Sequence, residues 1–130
     1  MVNKVFLLGR LGKDPEVKYF DNQRVVANFS MATNEVFLDK NGQKVEQTDW
    51  HQIEMWDALA KNAEKVLKKG RTVFIEGKLK NETWVDKDGV KKSNVKIRAL
   101  QFQVISSPPN VENKSHNELE GIDNSLEDIL

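Results

Sequence analysis

A mainly β chain with a single helix is predicted by three features of the sequence. Several stretches alternate apolar and polar residues with the period of two that a half-buried strand requires. Two turn signals, Asn41-Gly42 and Asp88-Gly89, stand between such stretches at hairpin positions. Only one segment, Asp57 to Gly70, carries a convincing helical stripe.

Val2 to Leu11 contains the run Val5-Phe6-Leu7-Leu8, closed by Gly9 and Gly12, which reads as a strand apolar on both faces with glycines where it bends. One face meets the core and the other needs separate cover. Lys13-Asp14-Pro15 is a turn signal, and Val17 to Phe20 continues the sheet after it. Between Val25 and Thr33, Val25, Ala27, Phe29 and Met31 share one face of a further strand, with Asn28 and Ser30 on the other. Asn41-Gly42 fits a type I′ turn, whose central residues both take positive φ, so the outgoing arm ends near Phe37. The return arm includes Thr48 to Trp56, with Trp50, Gln52, Glu54 and Trp56 on one face and His51, Ile53 and Met55 on the core face.

Asp57 is placed to cap the helix, Leu59, Ala63, Val66 and Leu67 form its buried stripe, and Gly70 stops it. Lys65, Lys68 and Lys69 sit at its C-terminal end, where the helix dipole favours cations. Val73, Ile75, Gly77 and Leu79 then alternate with polar neighbours in a strand that runs on to Trp84. The last strand, Ser93 to Ser106, changes apolar phase between Ala99 and Leu100, which predicts a bulge there.

At 130 residues the chain is read as one domain, residues 1–106, followed by a short acidic tail, residues 107–130. The tail sets Lys114 against Glu112, Glu118, Glu120, Asp123, Glu127 and Asp128, a balance of −5, so the net charge of zero leaves the body at +5. A basic body points to a polyanion partner, and the polar, acidic tail has the composition of a disordered segment. The chain has no cysteine and two histidines, His51 and His116, which leaves little from which to build a nucleophile with its base or a metal site. No enzymatic activity, cofactor or metal is therefore expected. No apolar run spans a membrane and no secretory signal opens the chain, so a cytoplasmic location is expected.

Five short, largely antiparallel strands with a helix between the third and fourth match the OB-fold, a Greek-key barrel that often binds single strands or oligosaccharides. Four aromatics are not claimed by the core pattern: Phe37, Trp50, Trp56 and Trp84. Each tryptophan could instead cover a second apolar layer. As a set, they lie in sequence near Lys40, Lys44, Lys78, Lys80, Lys87, Lys91 and Lys92, around the two hairpins. Flat rings beside cations suit a nucleic-acid strand, since any unpaired base can stack on them for about 1–3 kcal/mol while lysines meet the phosphates.

The residues that bear on identity are Val-Asn-Lys-Val-Phe-Leu-Leu-Gly-Arg-Leu-Gly-Lys-Asp-Pro-Glu-Val-Lys-Tyr from Val2, Val-Ala-Asn-Phe-Ser-Met-Ala-Thr from Val26, Gln-Thr-Asp-Trp-His from Gln47, and Leu-Lys-Lys-Gly-Arg-Thr-Val-Phe-Ile-Glu-Gly-Lys-Leu from Leu67. With Trp84 and the Asp88-Gly89 hairpin they span nearly all of residues 2–106, and the chain resembles the bacterial single-stranded DNA-binding proteins. The resemblance implies base stacking at Phe37, Trp50, Trp56 and Trp84, and backbone contacts at Lys40, Lys69 and Lys80, to which the basic strand position Lys78 is added. Phe37 stands where the family commonly has tryptophan, and Trp56 where it commonly has phenylalanine. Glu82 and Thr83 stand where bases are frequent. It further implies a homotetramer that pairs along the first strand, a nucleoid-associated location, and roles in replication, recombination and repair.

In the family a flexible linker ends in an acidic tip, usually closed by Pro-Phe, that docks onto replication and repair proteins. Here the tip is Glu127, Asp128, Ile129 and Leu130, without proline or aromatic, and Ile122, Leu126, Ile129 and Leu130 have helical spacing. A protein-interaction subunit of a primosome-like assembly is the competing class of function. Glu54, an acid between two proposed stacking rings, is accounted for only by an ion pair to a nearby lysine.

Overall fold

Alternation of apolar side chains dictates strands wherever one face can be buried, and the computed structural model, which describes residues 1–106, has six. They are β1 (Val5–Leu11), β2 (Glu16–Tyr19), β3 (Val25–Leu38), β4 (Lys44–Trp56), β5 (Thr72–Val85) and β6 (Lys91–Ser106), with α1 (Asp57–Val66) between β4 and β5. The acidic tail expected at residues 107–130, with Glu127, Asp128, Ile129 and Leu130, lies outside the described residues.

Five strands close on themselves in the order β1-β5-β6-β4-β3, and a short β1–β3 pairing at Arg10↔Ala32 and Leu11↔Met31 completes the ring. This is the OB barrel expected. Glu16–Tyr19 forms a separate strand on the start of β3, so in chain order the helix follows the fourth strand; within the barrel it still joins the third to the fourth.

The interior is filled by the predicted faces. Val25, Ala27, Phe29 and Met31 of β3, Ile53 and Met55 of β4, Val73 and Ile75 of β5, and Ile97 and Ala99 of β6 are buried together. Each of the large members contributes about 1.5–3 kcal/mol of burial, so the barrel, and not its loops, holds the fold together. In β6 the register skips Leu100, because Glu76 pairs with Gln101 while Gly77 pairs with Ala99. This is the bulge that the apolar phase shift predicts. It lets Phe102 and Val104 pack on the same core as Ile97 and Ala99.

Beyond the barrel both long hairpins run on as exposed arms. On one, all five residues from Asn34 to Leu38 are exposed; on the other, Val85, Val90 and Val95 are exposed too. The two tips are built alike. Oδ1 of Asp39 accepts from the backbone N–H groups of Asn41 and Gln43, and Oδ1 of Asp86 accepts from those of Asp88 and Val90. Gly42 and Gly89 close the turns at φ 77° and 78°. The expected type I′ turn at Asn41-Gly42 is therefore corrected: Asn41 does not take positive φ, because the Asp39 carboxylate satisfies the loop amides and only the glycine turns left-handed.

The helix buries Ala60 and Ala63 against β3 and β4, with Leu59 and Val66 packed at the margin, and it ends at Val66 rather than running to Gly70 as expected, its extended C-cap Leu67 being buried in the same core. Asp57 does not cap it. The capping position is Trp56, which makes no side-chain capping bond, and the Asp57 carboxylate instead accepts from Arg24 Nε and the Val25 amide. A partner 33 residues back in the chain outcompetes the local amides.

Candidate nucleic-acid interface

The β3–β4 ladder carries three of the four proposed stacking rings, Trp50 and Trp56 on one face and Phe37, by strand alternation, on the other. Phe37 pairs with Val45 near the arm tip, Trp50 with Ala32 midway, and Trp56 with Val26 at the far end. Eleven strand positions separate the first ring from the last, about 36 Å of strand. Trp84, opposite Lys92, lies on the other arm. Phe37 is 46% exposed, Trp50 58% and Trp84 48%, so three of the four present open ring surface.

Trp50 lies over the loop that leaves β1. A Cβ built on Gly12 would come within 2.5 Å of its Cζ3 and 2.8 Å of its Cη2, so the ring needs a bare backbone beneath it. The same loop is tied to the segment after the helix by the Gly70 amide to the Leu11 carbonyl at 2.9 Å, and the Lys69 amide donates to Asp14 at 2.8 Å. The Lys69 backbone is thus held to the same loop that Trp50 covers. His51, on the opposite face of β4, is half-buried and hydrogen-bonded to Thr33 at 2.9 Å.

Trp56 is held differently. Its Nε1–H donates 2.8 Å to Glu54 Oε1, and the Arg24 guanidinium lies 4.7 Å from its ring centroid. The ion pair expected at Glu54 is present, but the face it shares with the rings is not open there: Glu54 is 4% exposed and enclosed by two lysines. Lys80 Nζ donates to Oε1 at 3.3 Å and Lys96 Nζ lies 3.9 Å from Oε2. Both lysines also meet Glu82, at 3.8 Å and 3.4 Å. Burial alone pushes the Glu54 carboxyl up, but the hydrogen bonds from Trp56 and Lys80 and the charges of Lys80 and Lys96 hold it below the ordinary carboxylate value. A lysine pair shared with two acids explains how an acid can stand between two rings.

Among the proposed phosphate contacts, Lys40 is exposed at the first hairpin tip and Lys78, opposite Arg98, is exposed on β5. Lys80 is engaged by Glu54 and Glu82, and a phosphate would compete with those carboxylates for it. Sequence reasoning passed over three further residues. Lys96 belongs to the Glu54 network, and Arg24 and Phe20 stand beside Trp56, the Phe20 ring centroid 6.3 Å away at an interplanar angle of 19°. The available signal for Phe20 was an aromatic pair, Tyr19-Phe20, running straight into the turn Asp21-Asn22-Gln23.

A five-stranded OB barrel with open rings strung along one ladder and two lysine-tipped arms belongs to the class of folds that take single nucleic-acid strands. Residues 2–105 match the Single-strand binding protein family, and the chain belongs to that family. It is 45% identical over 104 residues to the single-stranded DNA-binding proteins of Neisseria meningitidis serogroup A and serogroup B, an alignment that covers 80% of this chain and 60% of theirs. Among solved structures, it resembles the Plasmodium falciparum SSB complex with ssDNA at a TM-score of 0.75 and 32% identity, covering 82% of this chain and 96% of that one. A deletion mutant of the single-stranded DNA binding protein from Thermus aquaticus superimposes at a TM-score of 0.71 with 31% identity, over 82% and 51% of the two chains.

Proposed function

We propose that the chain binds and protects single-stranded DNA with little regard to sequence. The observation that carries this reading is the set of open rings on a shared ladder and its neighbouring arm: Phe37, Trp50 and Trp84 offer ring surface, with Lys40 on the tip beyond Phe37 and Lys92 opposite Trp84, and Lys69 and Lys78 are the further proposed phosphate contacts. Stacking accepts any base, and the lysines recognise the phosphates that all strands share. Trp56 contributes through an edge fixed by Glu54, with Lys80 drawn to phosphate out of its carboxylate pairs. The relative solved with ssDNA supports the same ligand class.

No step of this function is catalytic. Replication, recombination and repair are the processes it would serve, in a cytoplasmic, nucleoid-associated setting. Glu127, Asp128, Ile129 and Leu130 would recruit partner proteins through an acidic tip with an apolar end. Assembly to a homotetramer would cover Phe6 and Leu8, which remain 58% and 41% exposed on the outer face of β1.

The test is titration with oligo(dT) at two salt concentrations, read by tryptophan emission. Strong quenching, weaker binding at higher salt and much weaker binding of duplex are expected. Unchanged emission at low salt rules the stacking assignment out.

A further inference from the structure

We propose that the strand's path does not end at Trp56 but continues onto the β2–β3 hairpin, where Phe20 and Arg24 form a further nucleotide subsite. This rests on the single-stranded DNA reading above and adds to it a place that none of the four rings supplies.

Three observations converge there. Phe20 is 47% exposed, and its ring is nearly parallel to that of Trp56 at a 6.3 Å centroid distance, so the hairpin adds a second aromatic surface to the far end of the ladder. Arg24 lays its guanidinium over the Trp56 ring at 4.7 Å. The Asp57 carboxylate holds that guanidinium in a fork, Oδ1 to Nε at 3.1 Å and Oδ2 to Nη2 at 3.1 Å, which fixes its plane in advance of any ligand. Finally, the two non-glycine residues of residues 1–106 with positive φ are Gln23 at 65° and Asp57 at 55°. One immediately precedes Arg24 and the other immediately follows Trp56. Unfavourable backbone at two points of one cluster persists only where surrounding contacts impose it, and such residues gather at ligand clamps.

The arrangement selects for a flat, unpaired base. Arg24 occupies one face of Trp56, so that face is already stacked, and the open apolar ring beside it is Phe20. Planar guanidinium and aromatic rings are the surfaces on which unpaired bases stack. Asp57 offsets the Arg24 charge and engages Nε and Nη2, so the subsite acts through stacking more than through charge. Its contribution should therefore persist at salt concentrations that weaken the lysine contacts.

The experiment compares oligo(dT) of graded length on the full chain, the Phe20→Ala variant, the Phe20→Trp variant and a Trp50→Ala control, at two salt concentrations. For long oligonucleotides, Phe20→Ala should bind at least about fivefold more weakly at both salts, while Phe20→Trp retains affinity. The loss should vanish for oligonucleotides too short to reach the hairpin. Circular dichroism and thermal melting confirm that the variants are folded. If Phe20→Ala matches the parent at every length while Trp50→Ala is weakened, the subsite is overturned and the single-strand reading stands. If the parent itself does not bind oligo(dT), both fall.

Discussion

The Trp56 indole donates a 2.8 Å hydrogen bond to Glu54, a carboxylate 4% exposed that also meets Lys80 and Lys96. One buried acid therefore orients an aromatic ring and holds two lysines beside it. Replacing Glu54 by Gln keeps an acceptor for the indole and releases charge from both lysines. The expected result is tighter binding of oligo(dT) at low salt, with the slope of log affinity against log salt steeper by up to about 0.7 for each further phosphate that a freed lysine neutralises. Glu54→Met leaves the indole N–H without its acceptor, and a loss of about 1–3 kcal/mol in urea unfolding is expected.

Acid should expose the same network. The Glu54 carboxyl titrates below its ordinary value in the fold, so its contribution to stability is complete above the unfolded carboxylate pKa of about 4.3 and is lost as pH falls through the lower folded value. The Asp57 carboxyl is also lowered, first by the hydrogen bond from Arg24 and then by that from the Val25 amide, and contributes in the same direction. Urea midpoints measured from pH 6 down to 3 should fall, and fall less in Glu54→Gln.

Gly12 is a control point for Trp50. Gly12→Ala places a methyl group within 2.5 Å of the present ring position, so the indole must move off the loop. Oligo(dT) affinity should drop by about 1 kcal/mol, with a shifted tryptophan emission in the free protein. Parent-like emission together with parent-like affinity would show that the ring does not depend on this contact.

The arms should separate binding from stability. Gly42 and Gly89 turn at φ 77° and 78°, where an alanine is strained by roughly 1 kcal/mol or more. Both lie beyond the buried barrel, so Gly42→Ala and Gly89→Ala should speed hydrogen exchange at the tips while the core amides keep their protection. Oligo(dT) binding should weaken by more than global stability does, because Phe37 and Trp84 ride on those arms.

Local pattern carried much of this molecule. The β3 core face, the hairpin positions, the helix stripe and the Leu100 bulge were all legible, because each is a periodicity or a break in one within a few residues. Two departures share a tertiary cause, whereas the turn at Asn41-Gly42 departs through the local Asp39 carboxylate. Asp57 reads as a helix cap until Arg24 arrives from the β2–β3 turn, and Glu54, whose lysine partner is legible, reads as lying on an open face until Lys80 and Lys96 cover it from β5 and β6. Local alternation assigns Glu54 to a face, but cannot say whether that face will be covered.

The sequence by itself determined a basic β body, one helix, two hairpins and four candidate rings beside lysines. Tertiary structure alone decided that Trp56 is pinned between a buried acid and an arginine, that Lys80 is shared with two carboxylates, and that the Phe20 ring lies beside that of Trp56. The physical reason is closure of the barrel. It brings β4 beside β6 at Ile53↔Ile97 and Glu54↔Arg98, and sets the β2–β3 turn against the end of β4, two encounters between segments far apart in the chain.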